Sequence, residues 1–157
     1  MSNEEFYDND VESIDEVAVE DNTDVDSFEV ELHRRSPKGD VFLQIYPRTR
    51  YWLREAVRPE MIIREDKENQ FFDFAKKMKT PEQVAPNATR YIQFRCNISL
   101  SELEIEMNFS YVAVVFENAD GTLSQAEPIL ENTPEAEEAK AMFEKVINHL
   151  AAYLSKS

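Results

Sequence analysis

From Tyr91 to Phe109 apolar and polar side chains alternate with a period of two. Ile92, Phe94, Cys96 and Ile98 fall on one side and Tyr91, Gln93, Arg95 and Asn97 on the other; Leu103, Ile105, Met107 and Phe109 then oppose Glu102, Glu104, Glu106 and Asn108. Successive residues of a strand point to opposite faces, so a run of this length commits the chain to a sheet with one face on a core. Any fold for this sequence has to be assembled around that sheet.

The same period appears earlier. Phe28, Val30 and Leu32 oppose Glu29, Glu31 and His33, which reads as a first strand. Ser36-Pro37-Lys38-Gly39-Asp40 supplies turn residues. Val41, Leu43 and Ile45 then alternate with Phe42, Gln44 and Tyr46 as a second strand closed by Pro47, Tyr51 to Val57 reads as a third, and Glu60 to Arg64 as a short fourth. Phe71, Phe74, Ala75 and Met78 change the period to i, i+3, i+4, i+7 and predict an amphipathic helix over 67–79. After a Pro-rich connection come the two strands of the long alternation and a more continuously apolar one from Tyr111 to Phe116. Asn118-Ala119-Asp120-Gly121 then makes a hairpin turn into a short last strand. Thr133 as N-cap, Pro134 in the first turn and Glu135, Glu137 and Glu138 at the positive end of the helix dipole open a final helix. The expected fold class is α+β, two ββββα units with antiparallel sheets packed on helices.

Charge divides the chain. Of a formal net charge of −15 over 157 residues, residues 1–27 contribute eleven carboxylates and no Lys or Arg. With few large apolar residues and no periodicity, this segment is predicted to be a disordered acidic tail, leaving 28–157 as one domain. Such a tail either solubilises the chain, competes as a tethered polyanion for a basic face, or recruits a basic protein partner. No apolar run approaches a membrane span, and the N-terminus is acidic where a signal peptide would be positive, so an intracellular, cytoplasmic and non-secreted protein is expected. A single cysteine, Cys96, leaves no internal disulfide and no cysteine cluster for zinc.

Between Arg34 and Arg64 the balance inverts to eight cations against three carboxylates, interleaved with aromatic rings. Rings stack bases and cations follow phosphates, so the pattern predicts binding of single-stranded RNA or DNA, with RNA slightly favoured. Strand parity selects Phe42, Gln44, Tyr46, Trp52, Arg54, Tyr91, Gln93, Arg95 and Asn97 as one outward face, joined by Lys38, Arg48 and Arg50. Burial against a second sheet or subunit is the alternative for Phe42 and Tyr46. If the third strand has the opposite parity, Trp52 turns inward.

Lys38-Gly39-Asp40-Val41-Phe42-Leu43 running on to Pro47-Arg48 resembles the Lys-Gly-Lys-Ala-Ala-Leu motif and following Pro-Arg of plant Whirly proteins. The second Lys and both Ala positions differ. Together with the order of elements, the chain is similar to the Whirly domain, a family that binds single-stranded nucleic acid and is related in shape to the PUR repeat. In general form it is also similar to the Whirly-like mRNA-binding proteins of nucleus-forming jumbo bacteriophages, whose setting would be an infected host cell. The resemblance implies a homo-oligomer, a tetramer held by its helices. In the last helix Met142, Phe143, Val146, Ile147, Leu150, Tyr153 and Leu154 would then form the interface, since the apolar stripe is wider than one sheet needs.

Chemistry other than binding finds little support. His33 and His149 are isolated, Cys96 falls on the apolar face, and the two glycines lie in turns rather than in a phosphate-cradling loop. No carboxylate spacing singles out an acid and base pair or a metal cage. The sequence therefore predicts a non-catalytic protein without cofactor or metal that protects, packages or regulates transcripts. A rival reading is an acidic interaction module, or nucleic-acid mimic, that inhibits a nucleic-acid-binding partner.

Overall fold

The computed structural model of the chain describes residues 28–38, 43–81 and 87–156. The acidic segment 1–27 and the predicted site residue Phe42 lie outside the described residues. The elements follow as β1 (Val30–Arg35), α1 (Ile45–Ala56), a 3-10 turn (Pro59–Met61), β2 (Ile62–Asp66), β3 (Phe71–Lys79), β4 (Ala88–Leu100), β5 (Glu104–Asn118), β6 (Glu127–Pro128) and α2 (Pro134–Leu154). This is an α+β fold with one antiparallel sheet in the order β1-β5-β4-β3-β2, where β6 adds to β5. One sheet stands in place of the two four-stranded units expected.

Both helices lie on the same face. Tyr46 of α1 stacks on Phe72 of β3 at 4.7 Å between ring centres, and Phe143 of α2 stacks on Phe109 of β5 at 4.0 Å. Phe94 of β4 meets Phe109, Phe143 and Phe74 edge-on, so these rings bridge three strands and a helix. The core-facing residues are Phe72, Phe74 and Met78 in β3 and Ile92, Phe94, Cys96 and Ile98 in β4, and the register aligns them. The long alternation thus has the expected parity.

In β5 the parity changes within one strand. Ile105, Met107 and Phe109 face the helices at odd positions, whereas Val112 and Val114 belong to the same core at even ones. Between the pairs Gln93↔Ala113 and Arg95↔Ser110, β5 advances three residues to two in β4. That is a β-bulge, and Tyr111 takes φ 52 within it. What the sequence presents as two strands is one strand with a single extra residue.

Two elements exchange type. Val41 to Tyr46 and Tyr51 to Val57 were expected as strands, yet α1 runs through Ile45–Ala56. Its buried residues, Ile45, Tyr46, Thr49, Trp52, Leu53 and Ala56, recur at helical spacing. Pro47 does not break it, because an N–H in the first turn has no intrahelical partner to lose. Conversely, the helix expected over 67–79 is replaced by β3. That strand is buried on both faces from Phe72 to Met78, so the alternation of Phe72, Phe74 and Met78 is obscured by the buried Asp73, Ala75 and Lys77 between them.

The final helix forms as expected, with Thr133 accepting the backbone N–H of Ala136 at 3.1 Å. Most of its stripe is buried within the chain. Met142, Phe143, Val146, Ile147, Leu150 and Leu154 are buried in the core, and Tyr153 is half-buried with the Arg48 guanidinium 5.5 Å from its ring centre. No described helix is long and apolar enough to cross a membrane.

Candidate functional site

Folding distributes the basic, aromatic block over several places. Trp52 is fully buried, and its Nε1 donates to Nδ1 of His149 at 2.9 Å, tying α1 to α2. Tyr46 is buried, and desolvation first, then Glu65, pushes its hydroxyl pKa up. Arg48 donates to the carbonyls of Tyr153 and Leu154 at 2.9 and 3.3 Å, where it caps the negative end of α2. Lys76, also buried, does the same for α1 by donating to the Ala56 carbonyl at 3.0 Å. Arg50 and Arg54 converge on one acceptor, Glu65, at 3.1 Å and 2.7 to 3.0 Å. The hydrogen bond from Arg54 and then that from Arg50 hold the Glu65 carboxyl below its usual range, against the effect of its partial burial. Arg58 pairs with Glu60, and Arg64 with Asp66. Asp66, bonded first by Asn69 and then by Arg64, drops to about 2. Lys38 and Gln44 are exposed at the approach to α1.

Trp52 therefore points inward, and the predicted outward face formed by Gln44, Tyr46, Trp52 and Arg54 is not assembled. Sequence parity failed here because it presumed strands. Glu65, the acceptor that Arg50 and Arg54 share, comes from β2 and could not be paired with them before the fold was known.

The sheet face opposite the helices is the other place where functional side chains gather. Tyr91, Gln93, Arg95 and Asn97 of β4 share it, as their parity predicts. Across the strands, Gln93 stands beside Lys77 of β3 and Ala113 of β5, and Arg95 beside Ala75. Arg95 binds Asp73 through two bonds of 2.7 and 3.0 Å, a fork that raises its own pKa. Lys77 and Gln93 are each 1% exposed, and neither Lys77 Nζ nor Gln93 Oε1 has a hydrogen-bond partner. Sequence reasoning missed Asp73 and Lys77 because it placed them on a helix. Once β3 is recognised as a strand, parity brings both to this face.

At the β1 end the same face turns acidic. His33 lies between carboxylates, with Nε2 2.7 Å from Glu31 and Nδ1 3.1 Å from Glu104, and the bond to Glu31 is the main reason its pKa rises above 6.5. Glu31, His33 and Glu106 place one donor atom each within 4.8 Å of one another, which makes them the described set able to meet on a metal ion. All of these side chains are partly or fully exposed, and His33 is satisfied by its own neighbours. Cys96, fully buried, has its thiol pushed well above the ordinary value by desolvation and is inert.

No protein-family model matches the sequence, and none of the curated proteins does. Solved structures do. A TBP-like protein from Parabacteroides distasonis superposes with a TM-score of 0.64 at 7% identity, covering 87% of this chain and 97% of its own. A DUF4468 family protein from Bacteroides ovatus superposes at 0.57 and 6%, covering 94% and 97%. Both share this fold. At such identity the likeness concerns the fold alone, and neither bears on the Whirly resemblance.

Proposed function

We propose that this protein is a non-catalytic interaction module that presents an acidic surface to a basic protein partner. The observation that supports this reading is the fate of its cations. Arg34, Arg50, Arg54, Arg58, Arg64, Arg90 and Arg95 are each paired with a carboxylate of the same chain, and Arg48 and Lys76 are committed to helix carbonyls. Meanwhile Glu55, Glu68, Glu102, Glu127, Glu131 and Glu135 stand exposed, and residues 1–27 add eleven further carboxylates. Self-neutralised cations leave a negative field that repels phosphates and steers basic surfaces.

The argument for single-stranded nucleic acid depended on an outward row of rings and unpaired arginines, and the arrangement of α1 and β2 gives that row no support. The test is calorimetric titration of the full chain at about 0.15 M salt, near a Debye length of 8 Å, with a Lys/Arg-rich peptide and with single-stranded RNA and DNA. The reading predicts saturable one-to-one binding of the peptide that weakens with salt, and no heat from either oligonucleotide. Binding of an oligonucleotide without binding of the peptide would reverse it in favour of the nucleic-acid proposal.

A further inference from the structure

At the N-terminal end of α2 the core face of the sheet runs out into a groove. After the bulge in β5, Val112, Val114 and Phe116 follow one another on the side of the helices, and Arg90 of β4, paired with Phe116, shares that side. Burial falls along the row, from 3% exposure at Val112 to 9% at Val114, and Phe116 is only half-buried. β6 and the turn into α2 border it. Glu127 and Pro128 pair with Val114 and Ala113, the Ile129 N–H donates to the Val112 carbonyl at 3.0 Å, and Thr133 Oγ1 donates to the Leu130 carbonyl at 2.7 Å. The groove so formed has a volume of about 850 Å³, with Val114, Phe116, Ile129 and Leu130 along it. Leu130 is 47% exposed although apolar.

The carboxylates of this groove are of two kinds. Glu138 is spent within the fold, because Arg90 holds both of its oxygens at 2.9 Å, which also neutralises the cation lining the groove. Glu127 and Glu135 are exposed and have no ion pair among the described residues. The positive end of α2 opens here too, but Thr133 takes the Ala136 N–H and Glu135 and Glu137 stand in the first turn, which offset it. The open charges of the groove are therefore negative.

We infer that this groove is where the protein takes hold of its basic partner. An apolar side chain of the partner seats on Val114, Phe116 and Leu130, and flanking Lys or Arg residues meet Glu127 and Glu135. Charge complementarity selects the cations, and the half-buried apolar row selects the residue between them. The inference rests on the proposed function and adds to it a location and a requirement. A diffuse acidic surface accepts basic segments in proportion to their charge, whereas the groove demands the apolar residue as well.

Proton–nitrogen correlation spectra of the full chain test it at about 0.15 M salt. The probes are a short peptide carrying one Leu among Lys and Arg residues and a twin peptide in which Ser replaces that Leu. The Leu peptide should shift the amides of Phe116, Ile129, Leu130 and Glu135 and bind at least about tenfold more tightly than its twin, as burying such a side chain implies. Glu127→Gln and Glu135→Gln should each weaken the Leu peptide by up to about fivefold. Glu55→Gln, the same loss of charge at an exposed position of α1, should leave its affinity nearly unchanged. Equal affinities for the two peptides, shifts away from the groove, or an equal loss in Glu55→Gln would overturn the groove while leaving the broader acidic-surface reading in place. Failure of both peptides to bind would refute that reading itself, and the groove with it. Groove amides that shift with the concentration of the chain alone would make a second copy the occupant and equally contradict the inference.

Discussion

Replacing Trp52 tests the fold and the reassigned role of the basic block together. Its side chain is fully buried, and its indole N–H is bonded to His149 at 2.9 Å across the contact between the two helices. Truncation to Ala empties an aromatic core site, which typically costs about 3–5 kcal/mol. Trp52→Phe keeps much of the apolar contact but leaves Nδ1 of His149 without its donor. Because His149 is only half-buried, the lower part of the range for an unsatisfied group applies, about 1–2 kcal/mol. Urea unfolding followed by far-ultraviolet circular dichroism separates these cases. With a slope of about 2 kcal/mol/M, the midpoint should fall by roughly 2 M for Ala and under 1 M for Phe. Adding His149→Leu to Trp52→Phe should cost less than the sum of the single changes, since both partners of one bond are then gone. Should Trp52→Ala stay within about 0.5 kcal/mol of the parent, the ring is not in the core and the helical assignment of α1 fails.

Other consequences are equally specific. Phe143→Ala removes the ring that stacks on Phe109 and meets Phe94 edge-on, and should destabilise by about 3–5 kcal/mol without altering the oligomeric mass seen in light scattering. The two histidines should titrate on opposite sides of 6.5 in ring-proton NMR spectra, His33 above it through Glu31 and His149 below it through burial and then Lys156. Because the folded value of His149 is lowered, its contribution to stability is present above pH 6.5 and is lost as pH falls from there through the folded value. That of His33 has the opposite sign, being complete below 6.5 and lost as pH rises through its folded value. Coincident titration of the two rings would contradict both placements.

The parts of the fold legible in sequence were those whose second face carries polar side chains, even where, as at Gln93, these are buried. β4 and the first half of β5 alternate cleanly because polar residues remain on their other side, and α2 announces itself through Thr133, Pro134 and its stripe. β3 could not be read this way, since burial on both faces removes the polar positions that reveal a period of two. In α1 the opposite difficulty arose, as Pro47 resembles a strand terminator although the first turn of a helix accepts it. The candidate site divides along the same line. Parity located Tyr91, Gln93, Arg95 and Asn97 on one face. The pairing of Arg50 and Arg54 with Glu65, and of Arg95 with Asp73, depends on strand neighbours that no local pattern specifies.

The central claim is that six of the eight cations of the basic block, all but the exposed Arg35 and Lys38, are committed within the fold and that the surface left over is predominantly acidic. Proton–nitrogen correlation spectra of the full chain, with the arginine Nε signals included, address it when single-stranded RNA and then a Lys/Arg-rich peptide are added at about 0.15 M salt. The account predicts that RNA leaves the Nε signals of Arg48, Arg50 and Arg54 in place, whereas the peptide shifts amides beside the exposed glutamates. Movement of those three arginine signals on adding RNA, at saturating and stoichiometric ratios, would contradict it.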